Sequence, residues 1–227
     1  MNSFQLDKNN EEVLLSGDGH HQVMMEWEKP YMEESINLLE PTGHVLEIGF
    51  GCGYSATQIL KHSPKSYTVI ECDPVVIEKA KEWRKNYPQF PIHIVEGRWQ
   101  ERLNTVGIFD QIYFDDFPLD INRQSSKIDK IISMQRQLTF IDLCIQNHTR
   151  IGSRLCWYLN GNPDSFSIGS DTEPFVEKYI QTIDIKIPNT CRYRNTSEQK
   201  CTIPMLIKIR DYKFEVAQQW ALKQIIK

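Results

Sequence analysis

The sequence predicts an α/β fold built on a mostly parallel sheet, and three observations lead there. The apolar run Val45, Leu46 and Ile48 runs into glycines at 49, 51 and 53, after which Ser55 to Lys61 can open a helix. A second apolar run closes on an acid, Glu71, at the distance expected of a ribose ligand in a nucleotide-binding α/β unit. Further short apolar runs then alternate with helical segments along the chain.

In order, residues 1–22 are polar, with Asp7 to Glu12 and Ser16 to Gly19 reading as loop or turn. They are expected to form an arm anchored by Val13, Leu14 and Leu15. His20 and His21 have no partner at metal-ligand spacing, so a solvated loop is expected and no metal site. Met24, Trp27, Tyr31 and Met32 fall at helical spacing, which predicts an amphipathic helix with Pro30 at a start or a break, continuing through Leu39. This dense group of Met and aromatic residues surrounds one carboxylate, Glu28.

Tyr67 to Ile70 is the second strand, and Asp73 before Pro74 is placed to cap a helix from Val75 to Tyr87. Ile92 to Val95 is a third strand, leading to Arg98 and Trp99 on the adenine side of a bound nucleoside. The fourth, Phe109 to Phe114, ends in Asp115 and Asp116, where carboxylates face the ligand crevice of an open sheet. Arg123 to Asn147 reads as a helical cover and Ile151 to Leu159 as a turn and fifth strand. Pro174 to Tyr179 suggests a helix; Asp184 to Ile187 and Met205 to Ile209 suggest two closing strands. Tyr212 to Lys227 places Phe214, Ala217, Trp220 and Ala221 on one helical face, as core cover or a subunit contact.

Composition narrows the function. A net charge of −4 offers no field for nucleic acid, and no apolar run approaches a bilayer span. Six scattered cysteines without a CxxC pair suit reduced thiols, so a cytoplasmic protein is expected. The chain reads as an arm, 1–22, and one domain, 23–227.

Glu47 to Gly53 has the form E-x-G-x-G-x-G, which resembles the first motif of Rossmann-type S-adenosylmethionine methyltransferases. Four blocks carry a more specific resemblance: Val23 to Met32, Gly49-Phe50-Gly51, Phe114 to Leu119, and Cys191-Arg192-Tyr193. In that order they resemble guanidinoacetate N-methyltransferase and its relative, the type IV (δ-nitrogen) protein arginine methyltransferase. The resemblance implies a Rossmann-like class I methyltransferase with a seven-stranded, mostly parallel sheet and helices on both faces. It implies S-adenosyl-L-methionine as cofactor, near Met24, Met32, Glu47, Gly49, Phe50, Gly51, Cys52, Gly53 and Tyr54. Glu71 matches the ribose ligand, followed by Cys72 and Asp73, and Arg98 with Trp99 the adenine-side pair.

Glu28 and Asp115 match the two carboxylates that hold the substrate guanidinium, with Met24, Leu159 and Asn160 as further contacts and Asp115 also beside the cofactor. Two acids suit this task because a planar guanidinium presents its N–H groups in forks. Asp115 is the expected acceptor of the proton released as nitrogen attacks the methyl. Guanidinoacetate is the first choice of acceptor; a protein arginine side chain is the alternative, and a cofactor-binding regulatory protein without turnover a second. Met25 and Lys29 look closer to the protein-arginine relative, while the insertion Asn195 to Lys200 and the C-terminal helix depart from the guanidinoacetate enzyme. No nucleic-acid or membrane partner is expected, and the protein is expected to be a monomer or homodimer.

Overall fold

A computed structural model describes residues 1–117, 127–159, 168–194, 197, 199–213 and 216, with backbone alone over 127–134. Its centre is the predicted seven-stranded sheet. Strands β4 (His44–Ile48), β5 (Ser66–Glu71), β6 (Ile92–Glu96), β7 (Phe109–Phe114), β8 (Thr149–Trp157), β9 (Val176–Asp184) and β10 (Lys200–Lys208) lie in the order β6-β5-β4-β7-β8-β10-β9. Only β10 runs antiparallel to its neighbours. The chain winds outward from β4 to β6, then returns to β7 on the other side of β4. That reversal opens a crevice beyond the carboxyl ends of β4, β5 and β7.

Alternation along β4 divides the core in two. Val45 joins Tyr67, Val69 and the helices α1 (Lys29–Leu39), α2 (Tyr54–Lys61) and α3 (Pro74–Arg84) on one face. Leu46 and Ile48 join Ile112, Phe114 and Leu155 on the other, against Phe140, Ile141, Cys144 and Ile145. These last four come from α5 (Lys127–Leu143) and the single π-helical turn that follows it. Pro74 stands at the start of α3, and Asp73 caps it by accepting from Val75 N at 2.9 Å and Val76 N at 3.2 Å.

Asp7 to Glu11 and Ser16 to Gly19 are turn or loop, as expected, but they connect three short strands that the sequence does not reveal. β1 (Ser3–Leu6), β2 (Glu12–Leu15) and β3 (Gln22–Met25) form a separate antiparallel sheet, with Val13 and Leu14 buried as the anchor. The helix predicted from Val23 is also corrected. Met24 lies in a strand that ends at Met25, Glu26–Glu28 is one 3-10 turn, and α1 begins at Lys29 with Pro30 in its first turn. Pro30 lacks the amide that a helix start leaves unbonded anyway, which is why the helix begins there.

A second correction concerns 174–179: only Glu173–Phe175 is helical, as a 3-10 turn, and Val176 to Asp184 is the edge strand β9. Edge exposure hides the alternation by which a strand is recognised, and Tyr179 and Ile180 both lie exposed. The predicted strand at 184–187 is therefore the end of β9 and the residues after it. β10 starts before Pro204, because its pairing with β8 begins only at Met205 and Pro204 has no amide to lose there. Phe214, Ala217, Trp220 and Ala221 lie outside the described residues. Among the described residues no helix is long and apolar enough to cross a membrane.

Candidate active site

The glycine turn follows β4 into the crevice. Gly49, Gly51 and Gly53 all have positive φ, and Gly49 N donates to Ile70 O at 3.0 Å. A Cβ on Gly49 would lie 2.2 Å from the Asp115 carbonyl oxygen, so the turn passes directly against the end of β7. Strand β3 lies over it: Cys52 N donates to Met24 Sδ at 3.2 Å, and a Cβ on Gly51 would meet that sulfur at 2.7 Å. Below the turn Glu47 is wholly buried and takes hydroxyl hydrogen bonds from Ser55 and Tyr67, tying the start of α2 to β5. Burial above all raises its carboxyl to about 7. Glu47 thus shapes the turn from within the core. Tyr54 donates to Glu12 at 2.9 Å, and Glu12 also pairs with Lys79 at 2.6 Å, fastening β2 across α2 and α3.

At the end of β5, Glu71 accepts from Phe50 N at 2.8 Å, Cys72 N at 2.7 Å and Asp73 N at 2.9 Å. A carboxylate offers about four acceptor positions, so one is left for a ligand hydroxyl. Burial raises its pKa, with the three amides pulling the other way. Asp73, besides capping α3, accepts from Asn2 N at 3.3 Å. Cys72 is half-buried beside it, its thiol raised to about 11 by burial and by Glu71.

Arg98 immediately precedes α4 (Trp99–Arg102). Trp99 is buried, edge-on to Phe114 and Phe140, and its Nε1 donates to Asp116 at 2.8 Å. Asp116 pairs in addition with Arg136 at 2.6 Å, so this second crevice acid is committed to structure. Met32 is fully buried beneath the site, its sulfur accepting from Tyr113 OH at 3.0 Å.

The two remaining acids come from separate parts of the sequence, one before β4 and one at the end of β7. Glu28, on the 3-10 turn, is 3 % exposed and accepts from Met25 N at 2.8 Å and Tyr193 OH at 2.5 Å. Both bonds fall on Oε1, so among the described residues Oε2 accepts none. Burial lifts its pKa to about 7, while Tyr193, Met25, Tyr158 and Arg194 oppose the rise. Asp115 donates its amide to Ile48 O at 3.0 Å and is partly exposed. Its carboxyl is nonetheless raised well above the ordinary range, by desolvation first and then by the charge of Glu28. Leu159 is buried and its amide donates to Tyr31 OH at 3.1 Å, whereas Asn160 lies outside the described residues.

Glu28, Asp115, Glu71 and the glycine turn therefore meet at one crevice. Sequence reasoning gave no role to Tyr158 or Tyr193, although Tyr193 stood in a recognised block. Its contact with Glu28 spans 165 residues, which no local pattern reports.

A raised carboxyl binds its proton more tightly in the folded than in the unfolded chain. The Glu28 contribution to stability is present below its ordinary value of 4.5 and is lost as pH rises through about 7. Glu28→Gln is expected to raise the melting temperature at about pH 8 and to change it little near about pH 4, where both forms are neutral. Thermal melts at the two pH values check this; a lower melting temperature for the variant at the higher pH would contradict it.

The family model for guanidinoacetate N-methyltransferase matches residues 4–143. A protein arginine N-methyltransferase 2 of Candida glabrata is 35 % identical over 122 residues, 48 % of this chain and 29 % of that protein. The protein of the same name from Aspergillus oryzae is 39 % identical over 126 residues, 51 % of this chain and 30 % of that protein. The matched part thus spans less than a third of these relatives. Among solved structures, the N-methyltransferase NodS from Bradyrhizobium japonicum superposes with a TM-score of 0.57 at 15 % identity, covering 81 % of this chain and 97 % of that one. NodS in complex with S-adenosyl-L-homocysteine gives 0.56, again at 15 % identity, over 82 % of this chain and 89 % of the other. At such identity these two establish a shared fold.

Proposed function

Because the chain belongs to the guanidinoacetate N-methyltransferase family, matched over residues 4–143, we propose that it transfers a methyl group from S-adenosyl-L-methionine to a guanidine nitrogen of an arginine side chain. The carrying observation is the pair Glu28 and Asp115, one buried and one half-buried acid beside a glycine turn, with Oε2 of Glu28 still open to a donor.

The residues present fit the cofactor. Three positive-φ glycines at alternate positions leave backbone where side chains would obstruct, and Glu71 keeps one acceptor position for a ribose hydroxyl. Gly49 to Tyr54, with Met24 above, would hold the methionine part, Glu71 with Cys72 and Asp73 the ribose, and Arg98 with Trp99 the adenine side. When bound, the cofactor supplies an electrophilic methyl group on a positively charged sulfur.

An arginine guanidinium stays protonated at any physiological pH, so it meets the acids as a cation. Its charge offsets the desolvation that raises Glu28 and Asp115, favouring both in their ionised forms. Glu28 Oε2 accepts from one edge of the guanidinium plane and Asp115 from another, which fixes the plane and aims one nitrogen. Asp115 then takes the proton that this nitrogen sheds as its lone pair is committed to the new bond. A carboxylate hydrogen-bonded to the attacking nitrogen is the nearest base for its proton, which suits Asp115 to the task.

The relatives' name, protein arginine N-methyltransferase 2, supports arginine as acceptor. The description of the matching family supports guanidinoacetate as the second reading. Formation of S-adenosylhomocysteine with an arginine peptide, free arginine, guanidinoacetate and glycine, run in parallel, separates them. Turnover with the peptide is expected; turnover with guanidinoacetate alone would favour the second reading. Cofactor binding without turnover on any acceptor would leave a binding protein instead.

A further inference from the structure

Tyr158 has no task in the site as described above. It stands one residue past β8, and its amide donates to Phe114 O at 3.0 Å. Phe114 and Trp157 are register partners, so Tyr158 is set beside Asp115. Its ring packs edge-on against Tyr31, with centroids 5.0 Å apart at 72°. Tyr31 is itself fixed, donating to Thr202 O at 2.8 Å and accepting from Leu159 N at 3.1 Å. The phenol ring is therefore held in place from below.

Its hydroxyl oxygen is buried, yet among the described residues it has no hydrogen-bond partner in bonding geometry. Glu28, Asp115 and Arg194 all lie within electrostatic reach, and the hydroxyl helps to hold the Glu28 charge without bonding it squarely. Leaving a buried hydroxyl unpaired is costly, so a group of this kind within reach of two acids needs an explanation.

A guanidinium has three nitrogens around one carbon. Two carboxylates approaching from two sides leave a third edge, and a third carboxylate there would add uncompensated charge. A phenol oxygen serves instead: it accepts an N–H while its own proton turns to a carboxylate. Resting on the reading that the acceptor is a guanidine, we propose that Tyr158 is the third hydrogen-bonding partner of the acceptor, its oxygen taking the N–H that neither Glu28 nor Asp115 takes. The pocket then selects a three-nitrogen guanidine over a two-nitrogen amidine.

The test titrates the full chain, saturated with S-adenosylhomocysteine, with methylguanidine and with acetamidine by calorimetry. Wild type is expected to bind methylguanidine about tenfold more tightly than acetamidine. Tyr158→Phe should lose that gap and keep its cofactor affinity, with a single cooperative melt showing that the variant is folded. A merely structural tyrosine would leave the gap intact in Tyr158→Phe, and that result overturns the inference while the guanidine reading stands. Equal binding of both probes by wild type overturns it too. If wild type binds neither probe, the guanidine reading falls and this inference with it.

Discussion

Asp115→Asn is expected to lower turnover by about a thousandfold while cofactor affinity stays unchanged. The substitution keeps the shape of the side chain and the hydrogen bond that the residue 115 amide donates to Ile48 O at 3.0 Å, so the end of β7 stays where it is. What changes is chemistry. Asparagine has no basic oxygen to take the departing proton, and its NH2 group turns a donor toward the donors of the guanidinium. Glu28→Gln should behave differently, because its Oε1 can still accept from Met25 N and Tyr193 OH. Losing that charge weakens the hold on the cation and appears mainly as a raised KM. Steady-state kinetics on both variants, with cofactor affinity measured separately, draws the distinction. Full turnover in Asp115→Asn would remove it from the proton-accepting role.

Gly49→Ala is expected to destabilise the protein by about 3 kcal/mol or more and to abolish cofactor binding in whatever remains folded. Two separate costs add at this position. Its φ of +83° is one that side chains rarely adopt, and the new Cβ would lie 2.2 Å from a backbone oxygen. That oxygen belongs to Asp115, so any relief pushes this acid away from the turn. The two costs can be separated by comparison. Gly19→Ala, at φ +71° with nothing within 4 Å, bears the conformational strain alone, and Gly107→Ala, also with open space around it, bears neither. Denaturant unfolding should rank them Gly107, Gly19, Gly49 in increasing loss. An unchanged Gly49→Ala would show that β4 and β7 are not held together at this turn.

The parallel half of the sheet was legible because buried parallel strands are continuous apolar runs, and the glycines, Glu71 and Asp115 sit at their carboxyl ends. Asp73 was legible as a cap from Pro74 alone. The N-terminal sheet was not, because β1 to β3 are four residues each, too short for alternation to stand out from polar turns. β9 was missed because an edge strand with a solvent-facing row shows neither period cleanly. At the site, residue types and strand ends indicated where acids would gather. They could not indicate that Asp116 is bound to Trp99 and Arg136, or that Tyr193 reaches Glu28, since those partners are set by packing between distant segments.

The small sheet over the glycine turn has one more consequence, for the order in which the molecule assembles. Gln22, in β3, donates to Thr190 O at 2.8 Å and accepts from Arg192 N at 2.7 Å, across 168 and 170 residues of chain. Glu28 waits for Tyr193 in the same way. During synthesis β1 to β3 emerge long before those partners exist, so the segment made early is among the last to reach its final contacts. Closing loops of that length carries an entropic cost that the β4–β7 framework, with its nearer neighbours, does not meet. Until residue 193 has been made and β10 has joined the sheet, β3 and the acid beside it have no complete surface on which to settle.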